Sequence, residues 1–141
     1  MGLHMDKIKI QRDIKKARAR IEDLNDEIQR LEQKKRRLTA EYDRRTKQQY
    51  GMEEHFGAKR SAGQILLAGI QGKAATRILQ EHQEMYSISK CNSFVAELET
   101  IKGYILTNVG KINESIMEVQ ANIRRLESDI TKYRRDLNKT D

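Results

Sequence analysis

The chain contains no proline and no tryptophan, and aromatic residues make up only 5% of its 141 residues. Because proline is the strongest helix breaker, its absence leaves only the 8 glycines to interrupt long helices. The single cysteine, Cys91, excludes an internal disulfide framework. Hydrophobic residues reach 37% and charged residues 35%, which is too polar a balance to fill a compact core. We therefore expect an all-α protein whose apolar residues suffice for a seam between helices.

Long hydrophobic runs are also missing. No stretch approaches the roughly 18 consecutive apolar residues of a membrane span, and no charged-then-apolar leader opens the chain. We expect a cytoplasmic protein, with co-secretion beside a partner, without a signal peptide, as the alternative. Residues 1–5 resemble the remnant of an expression tag, so the fold prediction starts at residue 6.

Residue patterns that carry chemistry are absent as well. His4, His55 and His82 lie far apart, and none belongs to a metal-binding spacing such as H-E-x-x-H. Neighbouring acidic residues such as Glu53 and Glu54 need an enclosed cleft before they act as acid and base, and two paired helices do not form one. We expect no enzyme activity, no cofactor and no metal ion.

What the sequence does contain is a mirrored heptad pattern. On both sides of Gly72, apolar residues recur at alternating spacings of three and four, and the numbers of matched residues always sum to 143 or 144. Seven-residue periodicity predicts coiled-coil packing, and a constant sum predicts an antiparallel arrangement. The matched pairs are Ile14 with Ile130, Ile21 with Ile123, Leu24 with Val119, Ile28 with Ile116, Leu31 with Ile112, Leu38 with Ile105, Met52 with Cys91, Phe56 with Ile88 and Leu66 with Ile78.

The constant sum places the fold point close to Gly72, where this glycine and Gly69 tolerate a positive φ. We therefore predict a single domain that is a long two-helix antiparallel coiled-coil hairpin. Its first arm covers residues 6–68, its turn residues 69–73 and its second arm residues 74–139. With a rise of about 1.5 Å per residue, each arm would extend roughly 90 Å.

Several polar residues interrupt the apolar pattern. Lys35, Arg45 and Gln49 fall on the seam of the first arm. Polar residues at such positions lower stability and fix register or partner choice, whereas long side chains also reach solvent from a shallow seam. Near the turn, Lys59 falls opposite Glu84 and is predicted to form an ion pair with it.

The net charge of +7 lies mainly away from the turn. Residues 1–50 hold 15 basic and 9 acidic residues, whereas residues 51–100 hold 5 and 6. Basic runs such as Lys34-Lys35-Arg36-Arg37 suit phosphate contacts. Acidic residues interleave with basic ones along the same helix, however, and no aromatic residues accompany the basic runs for base stacking, which favours a solvated face. A basic coiled coil that binds nucleic acid and a homodimeric structural coiled coil remain the alternatives.

Close to the turn, apolar residues lie on more than one helix face. Ile65, Leu66 and Leu67 are consecutive, so they cannot all face inward. Because a two-helix seam buries one face of each helix, the remaining apolar residues should form contacts with a protein partner. The predicted contact residues are Ile65, Leu67, Ile70, Ile78, Met85, Leu106 and Met117.

The turn segment Ile70-Gln71-Gly72, followed by the small residues Ala74 and Ala75, resembles the turn of the WXG superfamily. That family has two antiparallel helices joined by a Trp-x-Gly turn, and Ile70 stands in the place of the tryptophan. The layout most resembles the α-helical (Lap) proteins encoded with LXG toxins of Gram-positive type VII secretion. The resemblance implies a chaperone-like targeting protein that binds the elongated helical N-terminal domain of an LXG toxin, with a second small helical hairpin as a further partner.

The export signal of that family, Tyr-x-x-x-Asp/Glu after the second helix, is not present here. Leu137 stands four residues after Tyr133, where the acidic residue belongs. Tyr50 and Glu54 have the required spacing, but they lie on the first arm. The resemblance therefore implies toxin binding, with a companion protein as the alternative source of the export signal.

Overall fold

A computed structural model describes the backbone of residues 2–67, 69 and 72–140, and the side chains of residues 6–65 and 72–139. These residues form three helices and no strand: α1 spans Gly2–Leu67, α2 spans Lys73–Met85 and α3 spans Ile88–Thr140. The prediction of an all-α helical hairpin is confirmed, since α1 packs against α2 and α3.

Helix α1 continues for 66 residues because nothing in its sequence stops it. It contains no proline, and it passes through Gly51, Gly57 and Gly63 without a break. One glycine in a helix costs about 1 kcal/mol relative to alanine, which is small beside the packing of a long apolar seam.

The chain divides into two compact units, which we name the terminal unit (Met1–Arg37 with Val109–Asp141) and the turn unit (Leu38–Asn108). In the terminal unit, one buried cluster joins Ile14 to Ile130 and a second joins Leu24 to Val119. The residue numbers rise along α1 while those of the contacted residues fall along α3. The antiparallel register predicted from the mirrored heptads is therefore confirmed here, with Leu24 only 2% exposed.

The turn unit is antiparallel as well. Successive contacts between its two sides join Gln49 to Lys102, Phe56 to Phe94 and Arg60 to Tyr86.

Helix α1 ends at Leu67 and α2 begins at Lys73, which is the last residue of the turn predicted over residues 69–73. Gly72 is the N-cap residue of α2 and has a φ of 115°, which side chains of L-residues strongly disfavour. The carbonyl oxygen of Gly72 accepts a hydrogen bond of 3.0 Å from the Thr76 N–H, the first bond of the new helix. Ile70 and Gln71 of the predicted turn motif lie outside the described residues.

The second arm differs from the continuous helix predicted over residues 74–139, because it is interrupted at Tyr86 and Ser87. Helix α2 ends with the Tyr86 N–H bonded to the carbonyl oxygen of His82 at 3.0 Å. The Ser87 hydroxyl oxygen then accepts a hydrogen bond of 3.1 Å from the Lys90 N–H, as N-cap serines do. A serine cap is a weak signal inside a helical pattern, so periodicity alone did not reveal the interruption.

The interruption changes which residues meet near the turn. Phe56 is buried as predicted, but its predicted partner Ile88 is exposed, so that pairing is wrong. Phe56 instead contacts the rings of Tyr86 and Phe94, with centroid distances of 5.7 and 5.9 Å. The physical reason is that Ile88 is the first residue of α3, so the buried seam of that helix begins only at Cys91, and Tyr86 takes the place beside Phe56. Ile78 is also exposed rather than paired in the seam, and its predicted partner Leu66 lies outside the described side chains.

Candidate partner-binding surface

The seam of the turn unit contains a buried lysine that the sequence analysis did not identify. Lys102 is 8% exposed and occupies the seam position between Leu98 and Ile105. Its Nζ atom lies 4.9 Å from the centroid of the Tyr42 ring and 3.4 Å from the side-chain oxygen of Gln49. The alternating spacing of three and four residues along the second arm includes position 102. Only apolar residues were assigned to that seam, so the burial of this lysine was not predicted.

The polar seam residues that were predicted behave in three ways. Gln49 reaches across the seam to Lys102. Arg45 stays on its own helix, where it donates hydrogen bonds of 2.9 Å to Glu41 and 3.1 Å to the side chain of Gln48. Lys35, in the terminal unit, is half-buried. The apolar seam of the turn unit is therefore interrupted at the level of Gln49 and Lys102.

A cluster of rings fixes the junction between α2 and α3 against α1. The imidazole of His82 lies so close to Gly63 that a methyl group there would overlap it, and its Nε2 atom is 2.6 Å from the carbonyl oxygen of Lys59. The ring of His82 also contacts Tyr86, whose carbonyl oxygen accepts a hydrogen bond of 3.1 Å from Arg60.

This arrangement replaces the ion pair predicted near the turn. Both Lys59 and Glu84 are exposed, and no ion pair joins them among the described side chains. The position opposite Lys59 is taken by His82, which binds the backbone of α1 rather than a charged side chain.

Of the predicted contact residues, all whose side chains are described are exposed. These are Ile65, Ile78, Met85 and Leu106 in the turn unit and Met117 in the terminal unit. Leu106 and Met117, which lie outside the mirror, are exposed as expected, whereas Ile78 belongs to a mirrored pair and is exposed as well. The role of the whole set in binding stays a prediction. The side chains of Leu67 and Ile70 lie outside the described residues, as does Gln71.

Three further exposed residues on α3 were not singled out from the sequence. Phe94, Ile101 and Tyr104 are 44%, 38% and 69% exposed, although each is large and apolar or aromatic. Phe94 and Ile101 are seven residues apart, so they share a face of the helix beside the seam. The seven-residue spacing of Phe94 and Ile101 is visible in the sequence, but the mirrored pattern predicts only the residues on the seam.

The pair with the spacing of an export signal, Tyr50 and Glu54, lies on the exposed surface of α1. Residues four apart on a helix are neighbours on one face, so both side chains are accessible together. Their role stays a prediction.

No group of three or more His, Cys, Asp or Glu within the described part of the chain lies close enough to hold a metal ion. Cys91 is a free, buried thiol on the seam. A surface depression of about 520 Å³ at the start of α2 is lined by Gly72, Lys73, Thr76, Arg77 and Gln80. The Thr76 hydroxyl in it donates to the Gly72 carbonyl oxygen.

Among the described helices, none combines the length and the apolar character needed to cross a lipid bilayer. No protein-family model matches the chain, and neither the curated proteins nor the solved structures contain a significant match to it. The fold and the exposed apolar side chains are therefore the observations on which a function is proposed.

Proposed function

We propose that this protein is a non-enzymatic targeting partner that binds the helical N-terminal domain of an LXG-type toxin for type VII secretion in bacteria. The observation that carries the proposal is the set of exposed apolar residues around the turn, foremost Ile65, Ile78 and Met85. Removing apolar surface from water is favourable by about 25 cal/mol for each Å² that a partner buries. A further helix packed on this side would cover these residues.

Helix α2 has the pattern of an element that contacts helices on two sides. Ala75 is buried, and the half-buried His82 contacts α1 at Gly63 and Lys59. Ile78 and Met85 are seven residues apart, so they form a second apolar line on the same helix, and both are exposed. A long amphipathic helix from the toxin domain would pack on this line, in the manner of helix-in-groove recognition.

The proposal extends to the predicted residues that the described side chains do not include. Leu67 and Ile70 would contribute to the same contact around the turn, and Ile70-Gln71-Gly72 would serve as the turn motif. Binding takes place in the cytoplasm, where the toxin is made, and the pair then reaches the secretion machine together. Tyr50 and Glu54 are the candidate export motif on this chain.

Co-expression with an LXG-type toxin domain tests the proposal. The chain is produced together with the N-terminal helical domain of the toxin encoded beside it, and the complex is weighed by size-exclusion chromatography with light scattering. We expect a stable complex, which Ile78→Asp combined with Met85→Asp disrupts. Gln80→Asp combined with Gln83→Asp adds the same charge on exposed polar positions of α2 and serves as the matched control.

The two alternatives give different results in the same preparation. A homodimeric coiled coil doubles its mass without any partner, at every concentration measured. A nucleic-acid-binding coiled coil retains DNA or RNA at low salt and releases it steeply as salt rises, because binding releases counterions. Failure of the chain to form a complex with the toxin domain would contradict the proposal.

A further inference from the structure

The side of α3 opposite its buried seam is exposed along much of the helix. Helix α3 is continuous over Ile88–Thr140, so residues alternately four and three positions apart form one straight line along it. On the side away from the seam, such a line holds short, uncharged residues for about six turns. We name it the outer line, and all of its members are exposed: Ser89, Ser93, Ala96, Thr100, Gly103, Thr107 and Gly110.

The outer line can be covered by another helix without leaving polar side chains unpaired. The hydroxyl groups of Thr100 and Thr107 each donate a hydrogen bond of 3.0 Å to a carbonyl oxygen of α3 itself, so their methyl groups are available for packing. No other group lies within 4 Å of the position that a Cβ atom would take at Gly103 or Gly110. A second helix can therefore come close to the backbone of α3 at these glycines.

Large exposed side chains border the outer line. Tyr104 lies on one side of it, Leu106 lies on the other, and Met117 follows Glu114 on the line itself; the three are 69%, 54% and 67% exposed. We name the outer line and its two borders over residues 89–120 the outer face. It comprises four of every seven residues, or about 18 per chain, which is close to the 20 to 30 on each side of a standard interface. The outer face is large enough for a modest interface with one further helix.

The charges along one border identify the partner. Successive heptad positions on the side of Tyr104 are Lys90, Glu97, Tyr104, Lys111 and Glu118, and all five are exposed. The four charged residues make no ion pair among the described side chains. Lys90, Glu97 and Glu118 also lack an opposite charge three or four residues away on their own helix. The border therefore reads positive, negative, Tyr104, positive, negative.

This order of charges is complementary to itself when two copies run antiparallel. With Tyr104 beside Tyr104 of the second copy, Lys90 lies opposite Glu118 and Glu97 lies opposite Lys111, and two-fold symmetry repeats both pairs. The same alignment brings the two Leu106 side chains together on the other border. Parallel copies would instead set each charge against its own equivalent, which is repulsive. The pattern thus fits a second copy in the antiparallel orientation.

We propose that the outer face of α3 binds a second copy of this chain, antiparallel and centred between Tyr104 and Leu106, with Gly103 against Thr107. Exposed ion pairs add little affinity, so the charges fix the alignment while the outer line and the large side chains supply the buried surface. We expect a reversible dimer with a Kd on the order of 10 µM. The inference goes beyond the proposed function, and the Ile78 and Met85 line of α2 is not part of the outer face.

Sedimentation equilibrium of the full chain, at concentrations below and above that Kd, tests the proposal. We expect the mass to rise from that of a monomer to that of a dimer. Gly103→Leu places a large side chain where the two helices approach and should weaken the dimer by about tenfold or more. Open space around Gly103 lets the single chain stay folded, which circular dichroism checks. Gly51→Leu, at an equally open position of α1, is the matched control and should leave the Kd within about twofold.

An exchange of charges tests the alignment. Glu97→Lys sets like charges against Lys111 of the other copy and should weaken the dimer by about tenfold. Adding Lys111→Glu restores both pairs and should return the Kd to within about twofold of the wild type. The two residues are about 21 Å apart along one helix, so they cannot compensate for each other within a chain. Rescue therefore arises only between two antiparallel copies.

The outcomes that overturn the inference leave the toxin proposal untouched. A monomer mass at the highest concentration would exclude the dimer, and a dimer unchanged by Gly103→Leu and Glu97→Lys would exclude the outer face as its interface. A double charge variant as weak as Glu97→Lys would contradict the antiparallel alignment. Binding of the toxin domain is measured separately, at a concentration where the chain alone is a monomer, so either proposal can fail without the other.

Discussion

The Nζ atom of Lys102 lies 4.9 Å from the centroid of the Tyr42 ring, so a buried ammonium group contacts an aromatic face across the seam of the turn unit. The two residue numbers sum to 144, which means that the pair obeys the mirrored register although one member is charged. The nearest oxygens, on Gln49 and Glu99, are both 3.4 Å away, at the long end for hydrogen bonds. Lys102 is therefore desolvated, and it gains in return an aromatic face, an ion pair with Glu99 and two long hydrogen bonds.

Replacing this lysine by an apolar residue is expected to stabilise the protein. Lys102→Leu restores the apolar seam between Leu98 and Ile105 and should raise the free energy of unfolding by about 1 kcal/mol, since buried charges are often less stabilising than apolar residues of similar size. Urea unfolding followed by circular dichroism measures the change. Lys111→Leu, at an exposed position of α3, is the control. A loss of stability in Lys102→Leu would show that the contact with Tyr42 outweighs the desolvation of the ammonium group.

Gly63→Ala is expected to destabilise the turn unit by about 1 to 3 kcal/mol, because the added methyl group overlaps the imidazole of His82. Gly51→Ala is the matched control within the same helix. No side chain lies within 4 Å of the methyl group that it would add, so it should stabilise by about 0.5 to 1 kcal/mol. Thermal unfolding of the two variants should shift in opposite directions. Adding His82→Ala to Gly63→Ala should recover most of the stability that Gly63→Ala loses. If the double variant is as unstable as Gly63→Ala, overlap with the imidazole is not the cause of the loss.

The turn itself depends on the backbone of Gly72. Because its φ is 115°, Gly72→Ala is expected to lower the free energy of unfolding by about 1 to 2 kcal/mol. Gly103→Ala, in the interior of α3 with open space around it, should have the opposite sign. Chemical denaturation of both variants tests the pair. Equal stability of Gly72→Ala and the wild type would contradict this turn geometry.

The start of α3 depends on its cap. Ser87→Ala removes the acceptor of the Lys90 N–H and is expected to cost about 1 kcal/mol. Ser93→Ala, on the exposed surface inside α3, should be neutral or slightly stabilising because alanine is the better helix former. Thermal melts compare the two. If the two serine variants were equally stable, the interruption would not depend on this cap.

In the terminal unit, Leu24 is the most deeply buried side chain of its cluster. Leu24→Ala is expected to cost about 2 to 5 kcal/mol through lost burial and the cavity that remains. Leu106→Ala, at an exposed position, should cost less than about 1 kcal/mol when free of a partner. Denaturant unfolding of both variants measures the difference in the free energy of unfolding. A small effect of Leu24→Ala would contradict a main contribution of this cluster to the stability of the protein.

Periodicity predicted the regular parts of the fold because a coiled-coil seam repeats one local rule. The pairs of Ile14 with Ile130 and Leu24 with Val119 follow from that rule, and their clusters confirm it. The pairing of Phe56 with Ile88 is wrong because it assumes that the rule continues through Tyr86 and Ser87. The ring cluster there depends on contacts with α1, which no spacing encodes.

The exposed side chains were also predictable only in part. That Leu106 remains uncovered was predictable, because it lies off the seam, whereas the exposure of Ile78 departs from its predicted pairing with Leu66. The exposure of Phe94, Ile101 and Tyr104 on α3, in contrast, was not predicted from the heptad spacing. The burial of Lys102 depends on where the ring of Tyr42 lies across the seam, and a list of apolar residues does not contain that information.

The sequence by itself determined the helical state, the antiparallel register and the position of the turn, because the lack of proline, the heptad spacing and the glycines act locally. Only the tertiary structure decided where the second arm is interrupted, that Lys102 is buried against Tyr42, and that His82 lies on Gly63. These features arise from side chains far apart in sequence that compete for the same space. Their outcome depends on shape and desolvation rather than on periodicity.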